Sequence, residues 1–163
     1  MKCAIGQDSH AFSFTDKQKK LVLGGVEIKK APPLQGNSDA DVILHALTNA
    51  VSGITGSNIL GKPADKMCRE ENIKDSSVFL QQALSALNKK YSITHVSVAV
   101  EAKQPVLASY IDKIKKNLGR LLGISPDCVG LTASSGEGLT AFGKGLGIQA
   151  FCIITVNEVE TAF

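Results

Sequence analysis

Asn37-Ser-Asp-Ala-Asp-Val-Ile-Leu-His-Ala-Leu-Thr-Asn-Ala50 is the stretch that decides the fold. Ser38 and Asp39 are favoured helix N-caps, because a short side-chain oxygen there accepts from a free backbone N–H. Val42, Leu44, Ala46, Leu47 and Val51 then supply apolar faces. The spacing predicts a helix from Ser38 or Asp39 to about Ser52, stopped by Gly53. The free N–H groups and positive dipole end of such a helix suit an anion, phosphate above all. The same acidic residues also read as ordinary capping residues. His45 sits within this helix, four positions after Asp41. It is either a surface histidine held by that carboxylate or a metal ligand.

Working outward, Cys3–Ile5 reads as a strand, followed closely by Asp8-Ser9-His10. Side chains two apart on an extended segment share a face, so Asp8 and His10 point the same way. With His45 they make one carboxylate and two imidazoles, a three-ligand set for zinc that leaves a coordination position open. Leu21–Ile28 holds two short strands around Gly24-Gly25. Residues 31–37 form a loop. Residues 54–74 are polar and irregular, long for a structureless loop, and such loops are commonly functional.

Asp75 or Ser76 caps a second helix to about Lys90. Ile93–Val100 is a strand, with Val96, Val98 and Val100 on one face and His95, Ser97 and Ala99 on the other. Pro105 begins a third helix whose stripe is Ile111, Ile114, Leu118 and Leu121 and whose end is Gly123. Val129–Ala133 is a strand, and Ile148–Val156 is the most apolar strand and is placed centrally. This order implies an α/β (α+β) sandwich with helices on one face, in a single domain spanning 1–163.

Composition narrows the function. The chain has 163 residues, 44% hydrophobic and 20% charged, enough for a real core. A net charge of +3 is too weak to argue for nucleic acid, and it suits an anionic small substrate. Trp is absent and aromatics are 5%, which leaves no base-stacking platform. The four cysteines form no C-x-x-C, and Cys3, Cys128 and Cys152 lie in apolar runs, as reduced small hydrophobes do. No apolar run reaches membrane-span length and no targeting segment is visible. A cytoplasmic protein is expected, with a removed organelle-targeting segment still compatible.

A second constellation lies between the last two strands, in Ser134-Ser-Gly-Glu-Gly-Leu-Thr-Ala-Phe-Gly-Lys-Gly-Leu-Gly147. Hydroxyls and backbone N–H groups can hold phosphate oxygens, Glu137 can hold Mg²⁺, and Lys144 can offset phosphate charge. A tight connection with solvated charges is the competing reading. The G-x-x-x-x-G-K-[ST] spacing of a P-loop is absent. His95, mid-strand, reads as a solvent-facing histidine and not a ligand.

Together these segments resemble the 2-C-methyl-D-erythritol 2,4-cyclodiphosphate synthases. That family has D-x-H followed by a small residue and Phe, here Asp8–Phe12, and a G-G-V/I hairpin, here Gly24-Gly25-Val26. Its H-S-D-x-D-V-x-x-H-A-L-x-D-A appears as Asn37–Ala50. Its P-K-L-A-P-Y-I appears as Pro105–Ile111, and its T-T-x-E-x-L-G-F-x-G-R-x-E-G-I as Ser134–Ile148. The resemblance runs nearly the whole chain in order.

It implies a ferredoxin-like subunit with a mixed four-stranded sheet and a small hairpin, assembled as a homotrimer with active sites at subunit boundaries. It implies zinc on Asp8, His10 and His45, and Mg²⁺ or Mn²⁺ on Glu137 and substrate phosphates. The implied reaction cyclises 4-diphosphocytidyl-2-C-methyl-D-erythritol 2-phosphate with release of CMP. Catalytic roles carry over to Ser135, which matches the threonine that stabilises the transition state, and to Asn37, which stands at the family's histidine. Substrate contacts carry over to Asp8, Ser9, His10, Asn37, Ser38, Asn58, Gly61, Asp65, Ser134, Ser135, Gly136, Glu137, Ala141 and Lys144. No nucleic acid or membrane partner is implied.

Departures accompany the likeness. Asn37 can donate a hydrogen bond but carries no charge. Lys144 replaces an arginine and loses its bidentate fork. Val106 replaces a lysine, for which Lys103 is near enough to substitute, and Asn49 replaces an aspartate. The family's G-D-I-G and F-P-D-T-D are thinned to Asn58–Gly61 and Lys62–Lys66, where Asp65 is the remaining acid. That thinning motivates an alternative, a non-catalytic trimer of the same fold binding a cytidine nucleotide or isoprenoid phosphate. A phosphate-ester hydrolase lacks a residue to activate water.

Overall fold

Val96, Val98 and Val100 are buried while His95, Ser97 and Ala99 are exposed, so the sheet has one apolar face and one open face. The computed structural model describes residues 1–16 and 18–159. Its strands are β1 (Lys2–Ala11), β2 (Leu21–Leu23), β3 (Val26–Ile28), β4 (Tyr91–Glu101), β5 (Val129–Ser134) and β6 (Gly147–Glu158). The helices are α1 (Val42–Thr55), α2 (Lys62–Glu70), α3 (Ser76–Leu87) and α4 (Ile111–Leu122).

The four-stranded sheet runs β1-β6-β4-β5, and β2 with β3 forms a separate hairpin. β6 pairs antiparallel with β1 and β4, whereas β4 and β5 are parallel and joined by the α4 crossover. This is the expected mixed sheet with an inner β6. Leu44, Leu47 and Val51 of α1 join Val98, Ala150 and Ile154 of the sheet and Leu80 and Leu84 of α3 in one core. α1 approaches β1 closely because Gly6 has no side chain. A Cβ there would collide with the Ala46 carbonyl oxygen and the Ala50 amide nitrogen.

Several sequence expectations shift. β1 extends from Lys2 to Ala11 and so carries Asp8 and His10 itself. Cys3 is exposed on its open face and not a core residue, while Cys152 is buried. α1 begins at Val42 with Asp41 as N-cap, not at Ser38 or Asp39. It passes through Gly53 and ends at Gly56, in the left-handed conformation that favours glycine. α3 is capped by Asp75 and stops at Leu87, before Lys90.

The reading of residues 54–74 as structureless fails, because α2 forms within them. Only Ala64 of α2 is buried, so no apolar stripe advertised it. The third helix starts at Ile111, not at Pro105, because Leu107 turns inward and the Tyr110 amide closes a turn on its carbonyl at 2.8 Å.

Candidate metal centre and substrate pocket

Strand alternation aims Asp8 and His10 at α1, in line with Gly6. His45 comes down from α1 to meet them. The Asp8 carboxylate oxygen Oδ2 lies 2.9 Å from His45 Nδ1 and 3.1 Å from His10 Nε2. Ligand atoms of all three residues fall within 4.8 Å of one another. Tetrahedral zinc with bonds of about 2.1 Å holds its ligand atoms roughly 3.4 Å apart. One carboxylate and two imidazoles at these separations therefore fit a divalent cation.

Burial pushes the Asp8 carboxyl up. Hydrogen bonds to His10 and His45, with the charges of their rings, outweigh that push and hold it down at about 2. The group stays anionic and suited to a cation. Because its folded value lies below the ordinary 3.8, this pairing stabilises the fold above about pH 4 and is lost as pH falls towards 2.

The α1 terminus is not the free anion site that the sequence suggested. The buried Asp41 carboxylate already accepts from Ile43 and Leu44 at 3.0 Å each. It also accepts from Gly24 at 2.8 Å and Gly25 at 2.6 Å. The Gly24-Gly25 turn, with both residues at positive φ, is thus shaped to present its N–H groups to Asp41. Asp41 consequently does not hold the His45 ring. That ring is buried and lies between Asp8 and α3, where Ser76 Oγ meets Nε2 at 2.8 Å. Ser76 Oγ also donates to Asp39, whose carboxylate accepts the Ser76 N–H at 3.1 Å. Sequence reading took Asp39 and Ser76 only as possible caps; their contact spans 37 positions and has no local signature.

A cavity opens beside the three ligands, bounded by Asn37, Ser38, Asn49, Gly61, Asp65 and Phe79. Asn37 Nδ2 donates to Asp65 Oδ1 at 3.1 Å, so the remaining acid of the thinned segment joins the replaced histidine position. Asn58 is exposed and outside this cavity, and the Ser9 side chain points to the open face of the sheet, away from Asp8 and His10.

The second constellation lies elsewhere. Ser134 and Ser135 border a separate cavity with Lys103, Pro105, Val106 and Leu107. Ser135 Oγ donates to Glu137 Oε1 at 2.9 Å, and Glu137 adopts positive φ in the turn after Gly136. Thr140 donates to Glu101 across the base of this loop, and Ala141 and Lys144 are exposed on it. Glu137 is not part of the Asp8, His10, His45 cluster. Register explains the separation: Asp8, Ala150, Val100 and Ala133 lie side by side across the four strands. Three strand spacings put Ala133, and with it the Ser134–Ser135 end of the loop, roughly 14 Å from Asp8, while the loop returns to β1 where Gly147 pairs with Ala11.

The sequence matches the YgbB family over residues 1–157. The 2-C-methyl-D-erythritol 2,4-cyclodiphosphate synthase of Chlamydia muridarum is 41% identical over 157 residues, 96% of this chain and 88% of that one. The Chlamydia felis synthase is 40% identical, covering 96% and 89%. A synthase of this name solved in a CDP-bound form superposes with a TM-score of 0.82 at 26% identity, over 96% of this chain and all (100%) of that one. The Plasmodium vivax synthase superposes with a TM-score of 0.79 at 28% identity, covering 98% and 100%.

Proposed function

The chain belongs to the YgbB family, and we propose from that premise that it is the enzyme cyclising 4-diphosphocytidyl-2-C-methyl-D-erythritol 2-phosphate to the 2,4-cyclodiphosphate, a metal-dependent phosphorus–oxygen lyase of isoprenoid precursor synthesis. The observation that carries this reading is the convergence of Asp8, His10 and His45 at a cavity, in a chain about 40% identical to such synthases.

A 2-phosphate oxygen of the substrate attacks the β-phosphorus. The bond from that phosphorus to the bridging oxygen breaks, and CMP leaves with the electron pair. The nucleophile is already an anion, so no side chain must take its proton. Positioning and charge stabilisation supply the rate. Zinc on Asp8, His10 and His45, with Mg²⁺ or Mn²⁺ on Glu137 and substrate phosphates, would supply Lewis-acid polarisation of the phosphoryl oxygens.

Asn37, Ser38, Gly61 and Asp65 accept the erythritol portion, with Asn37 and Asp65 offering a donor and an acceptor side by side. Asp65 thereby takes over part of the grip of the thinned segment. Ser134, Ser135, Gly136, Ala141 and Lys144 hold the diphosphate and cytidine end, and Lys103 borders that cavity where the family's lysine is Val106.

One diphosphate cannot reach from the Asp8 ligand set to the Ser134–Ser135 end of the loop in a single subunit, roughly 14 Å across the sheet. A site assembled between neighbouring copies removes the gap, and this supports the homotrimer. The open face of the sheet supports it too: Ile5 is 63% exposed, Phe151 40% and Ile153 46%, an apolar patch suited to another copy.

Ser135→Ala tests the assignment of the loop. Loss of one hydroxyl aimed at developing charge is expected to lower kcat for CMP release by about 10²-fold with KM little changed. An unchanged kcat would remove Ser135 from the reaction.

A further inference from the structure

Ser76 is fully buried at the first turn of α3, and nothing in the reaction above requires it. A serine hydroxyl has a single proton to give and two lone pairs to offer. Its two polar neighbours are the Asp39 carboxylate, which can only accept, and His45 Nε2. Once His45 Nδ1 offers its lone pair to a cation, the ring proton must sit on Nε2. The two demands agree: Nε2–H donates to Ser76 Oγ, and Ser76 Oγ–H donates to Asp39. Nδ1, 2.9 Å from Asp8 Oδ2, is then left unprotonated and facing the ligand cluster.

We propose that Asp39 and Ser76 are positioning residues that fix the orientation and tautomer of His45 for a divalent cation. They form a carboxylate–hydroxyl–imidazole relay. It does indirectly what a carboxylate bound straight to a ligating histidine does elsewhere, holding the ring and raising its basicity. Asp39 is itself held, since its N–H donates to the Lys74 carbonyl at 2.8 Å and its carboxylate also takes the Ser76 N–H. The relay therefore ties the approach to α1 to the start of α3, and the ligand stays aimed while no substrate is bound.

The inference rests on the metal-centre reading, and the two fail separately. His45→Ala tests the site, whereas Ser76→Ala keeps all three ligands and removes only the relay. Zinc alone, competed against a chromophoric chelator, is expected to bind folded Ser76→Ala about 10- to 100-fold more weakly than the natural protein. A serine that only joined two segments would alter thermal stability and leave zinc affinity unchanged, because its backbone N–H bond to Asp39 survives the substitution. Equal affinity would overturn the proposal. Where Ser76→Ala fails to fold, nitrogen-15 NMR of the zinc-loaded natural protein decides. A slowly exchanging proton on His45 Nε2 supports the relay, and a proton on Nδ1 or a freely exchanging one on Nε2 overturns it.

Discussion

His45→Ala is expected to lose bound zinc, to lower the rate of CMP release by about 10³-fold or more, and to stay folded. Two ligands from β1 remain, but they lie on one strand and face the cation from one side. The third contact, from α1, closes the set. Losing it removes several kcal/mol of phosphoryl charge stabilisation, and each 1.4 kcal/mol is about tenfold in rate. The fold survives because α1 is held by Ile43, Leu44, Leu47 and Val51, all fully buried. Metal content per subunit by elemental analysis, beside circular dichroism, checks both halves. Full zinc occupancy in folded His45→Ala would take the histidine out of the site.

Asp41→Ala is expected to cost far more stability than the loss of an ordinary helix cap, on the order of 3–4 kcal/mol. An ordinary helix cap is worth about 1 kcal/mol because it satisfies one or two N–H groups near water. Asp75 is such a cap, accepting from Ser77 at an exposed position. Asp41 is buried and satisfies Gly24, Gly25, Ile43 and Leu44 together, so its loss strands donors on two elements at once. The Gly24-Gly25 hairpin should loosen with the helix, and His45 one turn later should move off the ligand set. Denaturant unfolding of Asp41→Ala and Asp75→Ala checks this. A cost for Asp41 no larger than that for Asp75 would contradict it.

These two residues mark what sequence could and could not reveal. Asp8, His10 and His45 were legible because strand alternation is local and because only three histidines exist. The Val96-Val98-Val100 face and the apolar β6 were legible for the same kind of reason. Asp41 was visible only as one acid among several, since its acceptor role depends on a turn 17 positions earlier. Ser76 read as a cap, because its link to His45 exists only after α3 packs on α1. α2 shows no apolar stripe in the sequence because it buries one alanine. Pro105 resembled a helix start, yet the chain makes another turn at Leu107 before α4 begins. Ser134, Ser135, Glu137 and Lys144 read as a phosphate and Mg²⁺ grip from their chemistry, family resemblance sharpened the roles, and the fold leaves Glu137 outside the ligand cluster.

The reaction proposed for this chain closes a ring, the substrate's own phosphate displacing CMP. Phosphorus NMR of the purified protein with 4-diphosphocytidyl-2-C-methyl-D-erythritol 2-phosphate and Mg²⁺ tests it most directly. CMP and the coupled signals of an eight-membered cyclic diphosphate are expected to appear together in equal amounts. CMP with a linear product, or no CMP at any protein concentration, would contradict it.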